Sequence, residues 1–255
     1  MIKFFKKIRQ NFLSEGKTGK YLKYAIGEIV LVVIGILIAL TINNWNEEKK
    51  EKAELNQYLS SLKENIKEDI QVLDSLIKRR EIIIAHSKKE QLNFLNSTFN
   101  FENTRYALTS YLDFYFQPNS SAYDALKNSP YLGKINGSNL NNLIIDYYSN
   151  AHQIKDAEIS YNEFLENLET KMAYDMDRTL MMAYIFMDPE KLKSTKTTQE
   201  EIEIVFKNIH NSAAFRNIVS QAVSQERNIL VPYNRGKVIG LNIIAEIDQM
   251  IEDVK

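Results

Sequence analysis

The sequence predicts an all-α protein in which a single N-terminal transmembrane helix precedes an antiparallel bundle of long helices. Three observations lead to this fold class. Only eight Gly and four Pro occur in 255 residues, which leaves few turn residues for a many-stranded β fold. Apolar residues recur at helical spacing over most of the chain. Near the N-terminus, a run of nineteen residues contains a single charge.

This apolar run begins at Tyr24, ends at Ile42 and is long enough to cross a bilayer. Nineteen helical residues extend over about 28 Å, close to the hydrocarbon thickness of about 30 Å. Trp45 follows the run, as aromatic residues do at membrane interfaces. A buried helix of a soluble protein would break such a run sooner, and a cleaved signal peptide would have a shorter charged segment and a cleavage site. The run therefore predicts an uncleaved transmembrane helix over residues 24–45.

The distribution of charge predicts the orientation of this helix. Residues 1–23 contain seven basic residues and one acidic residue, whereas residues 47–255 have a net charge of −6. By the positive-inside rule, the N-terminus lies in the cytoplasm and the domain formed by residues 46–255 lies across the membrane. In a bacterial envelope this places the helix in the cytoplasmic membrane and the domain in the periplasm.

The basic N-terminal segment, residues 1–23, has an amphipathic stretch. Phe5, Ile8 and Phe12 follow one another at helical spacing, with basic residues around them. The stretch either lies in the lipid headgroup layer with its apolar face down, or is a solvated basic tail that only sets the topology.

One face of the transmembrane helix is a candidate packing surface. At about 100° per residue, Glu28, Gly35 and Ala39 project from the same side. Gly35 and Ala39 are spaced as a small-xxx-small pair, which permits close approach of a second helix from another copy or another envelope protein. Alternatively, Glu28 extends towards the headgroups beside Lys23, and the small residues fall on this face by chance.

The domain beyond the membrane begins with a long apolar stripe at helical spacing. It predicts a helix of coiled-coil type as far as Leu95, either separate from the transmembrane helix or continuous with it. The stripe consists of Leu55, Leu59, Leu62, Ile66, Ile70, Leu73, Ile77 and Ile84. An aromatic-rich helix is predicted over residues 104–116 and a short helix over 121–128, followed by an irregular connector.

The regular pattern returns at Leu140 and predicts a helix with Ser138 or Asn139 as its N-cap. Its apolar spacing is interrupted once, at Glu158, and the helix is predicted to run beyond Met172 towards Met187. Three further helices are predicted near the C-terminus. Thr198 is the expected N-cap of the first, at 199–210, and the others cover 212–230 and 237–254 with a kink or break near Pro232.

No catalytic, cofactor or metal site is predicted. His86, His152 and His210 lie on three different predicted helices, and the Glu-x-x-His spacing of di-iron bundles is missing. The sequence lacks Cys, a Gly-x-Ser-x-Gly motif and a dinucleotide-binding glycine motif. Because no basic stripe occurs in the domain, nucleic acid is not expected as a partner.

Residues 1–47 include the blocks KYAIGEIVLVVIGILIAL and INNWNE. Over these residues the sequence specifically resembles a family of bacterial membrane-anchored proteins. The resemblance continues more loosely through Tyr123–Leu126, Gly133 and the segment from Leu140 to Tyr148. The family is one of unknown function, common in flavobacteria and their relatives, so the resemblance implies a single-pass helical envelope protein and supplies no activity.

Two functions from different classes remain open. The first is a non-enzymatic, membrane-tethered helical module that binds an envelope protein or another copy of itself. The second is a periplasmic small-molecule sensor or ligand-binding domain, with its pocket among the aromatic residues of 106–116 and 123–131.

Overall fold

The structure is a computed structural model that describes residues 18–252, and within them the chain is all-helical and contains no strand. The basic segment's amphipathic stretch lies outside the described residues. The helices are α1 Thr18–Leu95, α2 Phe101–Ala107, α3 Ser121–Lys127, α4 Leu132–Ile135, α5 Asn139–Asp175, α6 Thr179–Phe186, α7 Pro189–Lys193, α8 Gln199–Asn211, α9 Ala213–Asn228 and α10 Leu230–Glu252. A short 3-10 helix, Leu108–Tyr111, follows α2.

The chain divides into two compact units, residues 1–57 and residues 58–255. In the first unit, α1 contains the candidate membrane span. Its most apolar window has a mean hydropathy of 2.8, and none of that window is buried inside the protein. Among the described residues, one helix, α1, is both long enough and apolar enough to cross a bilayer. Near the end of the span, the Lys49 ammonium lies 5.6 Å from the centre of the Trp45 ring.

The second unit, which we call the body, has its own apolar core. The stripe predicted on α1 forms part of it, since Leu59, Leu62 and Leu73 are fully buried. These residues are buried within the body, so the predicted coiled coil is not confirmed. One core cluster joins α1, α5, α9 and α10, and a second joins α2, α6, α8 and α9 to the last turn of α5.

Side-chain contacts show the directions of the three longest helices of the body. The hydrogen-bonded pairs Asp69–Tyr147 and Arg80–Glu158 both join residues 78 apart in sequence, so α1 and α5 run in the same direction. In contrast, Lys63 pairs with Asp248 and Lys237 pairs with Asp74, so α10 runs opposite to α1. The antiparallel arrangement predicted for the bundle is therefore not confirmed for α1 and α5.

Two glycines let α10 lie close to its neighbours. A Cβ atom at Gly240 would lie 3.1 Å from Ile66 and 3.2 Å from Ile70. One at Gly236 would lie 2.9 Å from the Asn150 side chain. Both glycines are buried, so the backbone of α10 lies close to side chains of α1 and α5.

Several predicted element bounds are confirmed. Of the two alternatives left open for α1, the structure shows the continuous helix, and this helix ends at Leu95 as predicted, after which Ser97 has a φ of 55°. Ser138 caps α5 by accepting a hydrogen bond from the Asn141 N–H. Thr198 and Glu201 form a capping box at the start of α8.

Three predicted bounds are wrong. The aromatic helix does not reach residue 116, because α2 and the 3-10 turn end at Tyr111 and an extended segment follows. The α5 helix ends at Asp175, and residues 179–186 form a separate helix. The last helix begins at Leu230 and not at residue 237, so that Pro232 lies inside its first turn, where a missing N–H costs little. The predicted break near Pro232 is present at Ile229, whose backbone leaves helical geometry.

Candidate ligand groove and its buried polar supports

The extended segment of residues 112–120, which we call the strap, is the most unusual local structure of the body. Because the strap is neither helix nor sheet, its backbone groups need partners from elsewhere. Charged side chains of α1 and α5 supply several of them, at three points along the strap.

At the first point, Arg80 of α1 binds the strap backbone. Its Nη2 donates to the Phe114 carbonyl oxygen at 3.0 Å and lies 3.5 Å from a Glu158 carboxylate oxygen. Its Nε donates to the Tyr233 hydroxyl at 3.0 Å, and its Nη1 donates to the Gln225 side-chain oxygen. The guanidinium is 1% exposed, so one buried cation ties the strap to α1, α5, α9 and α10.

Glu158 of α5 holds the second point. Its carboxylate accepts the Phe116 N–H at 2.9 Å and also accepts the Tyr233 hydroxyl proton. Burial raises the pKa of Glu158, while the hydrogen bonds from Tyr233 and Phe116 and the charge of Arg80 act in the opposite direction. The carboxylate therefore has internal partners for its charge and for its lone pairs.

Asp69 of α1 holds the third point. Its two carboxylate oxygens each accept at 2.9 Å, one from the Asn119 N–H and the other from the Tyr147 hydroxyl. Tyr148 donates to the Asn119 carbonyl oxygen at 3.3 Å. Burial raises the pKa of Asp69, because the side chain is withdrawn from water and has no cation among its hydrogen-bond partners in the described part of the chain.

The strap and α5 enclose a half-open cavity of about 670 Å³, which we call the strap groove. This volume lies within the range of about 300–1,000 Å³ typical of small-molecule sites. The lining residues come from the strap and from about three turns of α5. They are Tyr115, Phe116, Gln117, Pro118, Ser120, Tyr148, Ala151, His152, Lys155, Glu158 and Ile159.

The charges of the strap groove are asymmetric. Lys155 and His152 are exposed on the α5 wall, and neither has a hydrogen bond or ion pair with another described residue. Glu158 is the one acidic lining residue, and it is buried against Arg80. The accessible surface of the groove therefore presents positive charge beside apolar and aromatic side chains.

A second recess of about 520 Å³ lies between α2, α7 and the start of α8. Its cationic residues, Arg105 and Lys193, already have partners. Arg105 binds Glu102 at 2.7 Å, and Lys193 binds Glu190 at 2.9 Å. This recess is the weaker candidate for a charged ligand, because its cations are paired within their own helices.

Residues 28–167 match DUF6090, a family of unknown function. The match covers more than half of the 255 residues. The chain belongs to the DUF6090 family. The resemblance to a family of unknown function is thereby confirmed, and the residues before Glu28 lie outside the matched range. No curated protein and no solved structure matches the chain.

The DUF6090 match contains most of the groove's structural parts. It includes the strap, the groove-lining part of α5, and the buried residues Asp69, Arg80 and Glu158. The α9 and α10 partners of the Arg80 cluster, Gln225 and Tyr233, lie beyond residue 167. The groove walls are thus formed by the matched region, with further support from the C-terminal helices.

The three predicted packing residues of the span lie on one continuous helix. Gly35 and Ala39 are exposed, and a Cβ atom at Gly35 would meet no other atom within 4 Å. Glu28 is half-buried. The face is therefore open to a second helix, and its role as a packing surface stays a prediction.

The three histidines lie in three separate environments. His210 Nδ1 lies 2.8 Å from a Glu90 oxygen that also accepts from the Thr104 hydroxyl at 2.6 Å, and all three side chains are buried. His86 stacks on the Tyr106 ring at 4.7 Å, and burial lowers its pKa. His152 lines the groove. Within residues 18–252, no group of three metal-binding side chains occurs.

The predicted aromatic pocket is found only in part. Tyr115 and Phe116 line the groove, but the residues of 123–131 do not. Tyr123 instead stacks on Tyr148 at 4.9 Å.

Sequence reasoning missed the buried charged residues that support the strap. One signal was available, because the α1 stripe skips from Ile77 to Ile84 and Arg80 occupies the missing core position. The interruption at Glu158 in the α5 pattern is the matching signal on the other helix.

Proposed function

We propose that this protein is a single-pass protein of the bacterial cytoplasmic membrane that holds a non-enzymatic helical interaction module in the periplasm. The observation that carries the proposal is the contrast within the chain. The span of α1 has none of its most apolar window buried, while the body has a buried apolar core of its own. Such a span is stable only if lipid or another helix covers it.

The proposed orientation follows from charge. Seven basic residues precede the span, so the N-terminus is proposed to lie in the cytoplasm and the body on the opposite, periplasmic side of the membrane. The partner is proposed to be another envelope protein or a second copy of the chain, contacted through the face of Glu28, Gly35 and Ala39 or through the body.

A non-enzymatic role is supported by the chemistry of the buried clusters. Arg80, Glu158 and Asp69 direct their hydrogen bonds to the strap and to neighbouring helices. Their geometry serves to hold a segment of irregular backbone in place. This use of buried charge is structural, because the partners of each group are fixed side chains and backbone atoms.

The orientation is tested with a reporter enzyme that is active only outside the cytoplasm. Fused after Lys255 of the full-length chain, it should be active; fused before Met1, it should be inactive. A cytoplasm-specific reporter at the same two positions should give the opposite pattern. Activity of the extracytoplasmic reporter at the N-terminal position would contradict the proposed orientation.

A ligand-binding or sensor domain is the second candidate function. The strap groove favours it, because its volume suits a small molecule and its lining combines apolar and aromatic side chains with polar ones such as His152 and Lys155. A ligand in this groove would touch the strap and α5 at once. The two functions are compatible, since a membrane-tethered module can report ligand binding to a partner.

A further inference from the structure

We propose that the strap groove binds a small organic anion, in which a carboxylate is attached to a flat apolar body such as an aromatic ring. This inference deepens the second candidate function and does not depend on the membrane orientation. It specifies the chemical class of the ligand and the residue that selects its charge.

The charge of the ligand follows from the lining residues. Lys155 and His152 lie one turn apart on α5 and face the groove without a partner among the described residues. Glu158 is shielded by Arg80 and by the Phe116 N–H. Two acids that bind strap residues are also engaged, since Asp69 accepts from Tyr147 and Asn119 and Asp124 pairs with Lys127. Asp156, which follows Lys155 on α5, is not among the lining residues of the groove. A carboxylate beside Lys155 would supply the missing counter-charge.

The apolar part of the ligand follows from the surfaces around that cation. Tyr115 is 48% exposed and Ile159 is 37% exposed, and Pro118 lies beside Tyr115 on the strap wall. Covering apolar side chains of this kind is favourable, at about 25 cal/mol per Å² removed from water. A ring between Tyr115 and Ile159 would cover both while its carboxylate reaches Lys155.

The strap gives such binding a structural consequence. One wall of the groove, residues 115–120, belongs to the strap, and the other wall belongs to α5. A ligand that touches both walls adds a fourth attachment between them, beside those of Arg80, Glu158 and Asp69. Binding therefore stabilises the strap against the body.

The test uses the full-length chain in nanodiscs of phosphatidylcholine and three probes that share one ring system. These are 2-naphthoate, neutral 2-naphthylmethanol and cationic 2-naphthylmethylamine, titrated calorimetrically with empty nanodiscs subtracted. 2-Naphthoate should bind about tenfold more tightly than either of the others, as expected for one charge-assisted hydrogen bond.

Matched variants locate the binding site. Lys155→Met should weaken 2-naphthoate about tenfold and leave the neutral probe unchanged, because only the charged contact is removed. Lys155→Glu should reverse the preference towards the amine. The control is Lys171→Met, an exposed position of α5 outside the groove, which should change affinity less than about twofold.

Three results would overturn the inference. The first is equal affinity for the three probes, and the second is no binding of 2-naphthoate at millimolar concentration. The third is an affinity for 2-naphthoate that is the same in Lys155→Met and Lys171→Met. None of these results would alter the reporter pattern that tests membrane anchoring, so the two proposals fail separately.

Discussion

At the scale of single residues, Arg80 has the largest expected effect on stability. Its guanidinium is buried, contacts the strap at Phe114 and faces Glu158. Removing one partner of a buried ion pair typically costs about 3–5 kcal/mol, because the remaining charge is left without compensation. Arg80→Met should therefore lower the free energy of unfolding by about this amount.

Chemical denaturation followed by circular dichroism provides the measurement. Arg80→Lys should also destabilise the protein, because an ammonium cannot reproduce the planar set of contacts to Phe114, Gln225 and Tyr233. Lys78→Met, at an exposed position two residues away, is the control and should change stability by less than about 0.5 kcal/mol. Equal effects at both positions would mean that the buried cluster contributes little.

Because Asp69 is buried, we expect the free energy of unfolding to depend on pH. Burial raises the pKa of its carboxyl group above the ordinary value of 3.8, so the folded protein holds this proton more tightly than the unfolded chain. The contribution to stability is therefore complete below pH 3.8 and is lost as the pH rises through the raised pKa. The free energy of unfolding should fall over this interval.

Asp69→Asn removes this titration while keeping a side chain of the same size that still accepts the Asn119 N–H. The variant should show a flatter pH profile than the wild type between pH 4 and pH 7, measured by denaturation at several pH values. Glu158 and Glu169, whose pKa values are also raised by burial, still titrate in both proteins and contribute to the remaining slope. Superimposable profiles would exclude Asp69 as a source of the pH dependence.

At the scale of helices, local sequence patterns predict the long elements well and the strap poorly. The stripe on α1 and the Ser138 cap of α5 depend on residues close in sequence, so their periodicity and cap chemistry are readable. The strap is different. Its first residues fall within the aromatic-rich helix predicted over residues 104–116, but Arg80 and Glu158 bind its backbone from 34 and 42 residues away. Contacts at that separation leave no local pattern.

The candidate groove was difficult to predict for the same reason. Its aromatic side, Tyr115 and Phe116, lies within the stretch expected to contribute to a pocket. Its charged side, His152 and Lys155, lies on α5, and the sequence pattern there is that of an ordinary solvated helix face. Only the parallel register of α1 and α5 and the path of the strap bring the two sides together.

The next prediction concerns the face of α1 that carries Gly35 and Ala39. If the face of Gly35 and Ala39 packs against a second helix, a large side chain at position 35 blocks close approach. Gly35→Leu should therefore reduce self-association of the full-length chain in a membrane two-hybrid or in-membrane crosslinking assay.

The matched control is Ile36→Leu, which lies about 100° around the helix and keeps the side-chain size. It should retain the wild-type signal. If the two variants give equal signals above background, the small residues are not part of the contact. A wild-type signal no higher than background would exclude self-association through this face.

At the scale of the whole molecule, the two units are expected to differ in whether they need lipid or detergent. The exposed span has a mean hydropathy of 2.8 over its most apolar window, so we expect it to need a bilayer or detergent. The body has its core within residues 58–252, where Leu59, Ile66, Ile154 and Phe206 are fully buried. The burial of these side chains does not require the apolar surface of residues 24–45.

A fragment of residues 47–255 should therefore be soluble without detergent. Its circular dichroism spectrum should be dominated by helix, and its thermal unfolding should be a single cooperative transition, since the two core clusters share α5 and α9. The full-length chain, prepared in parallel, should sediment with membranes. Aggregation of the fragment, or a spectrum without helix, would mean that the body needs the span or its lipid environment to fold, and the chain could no longer be treated as a folded module on a membrane tether.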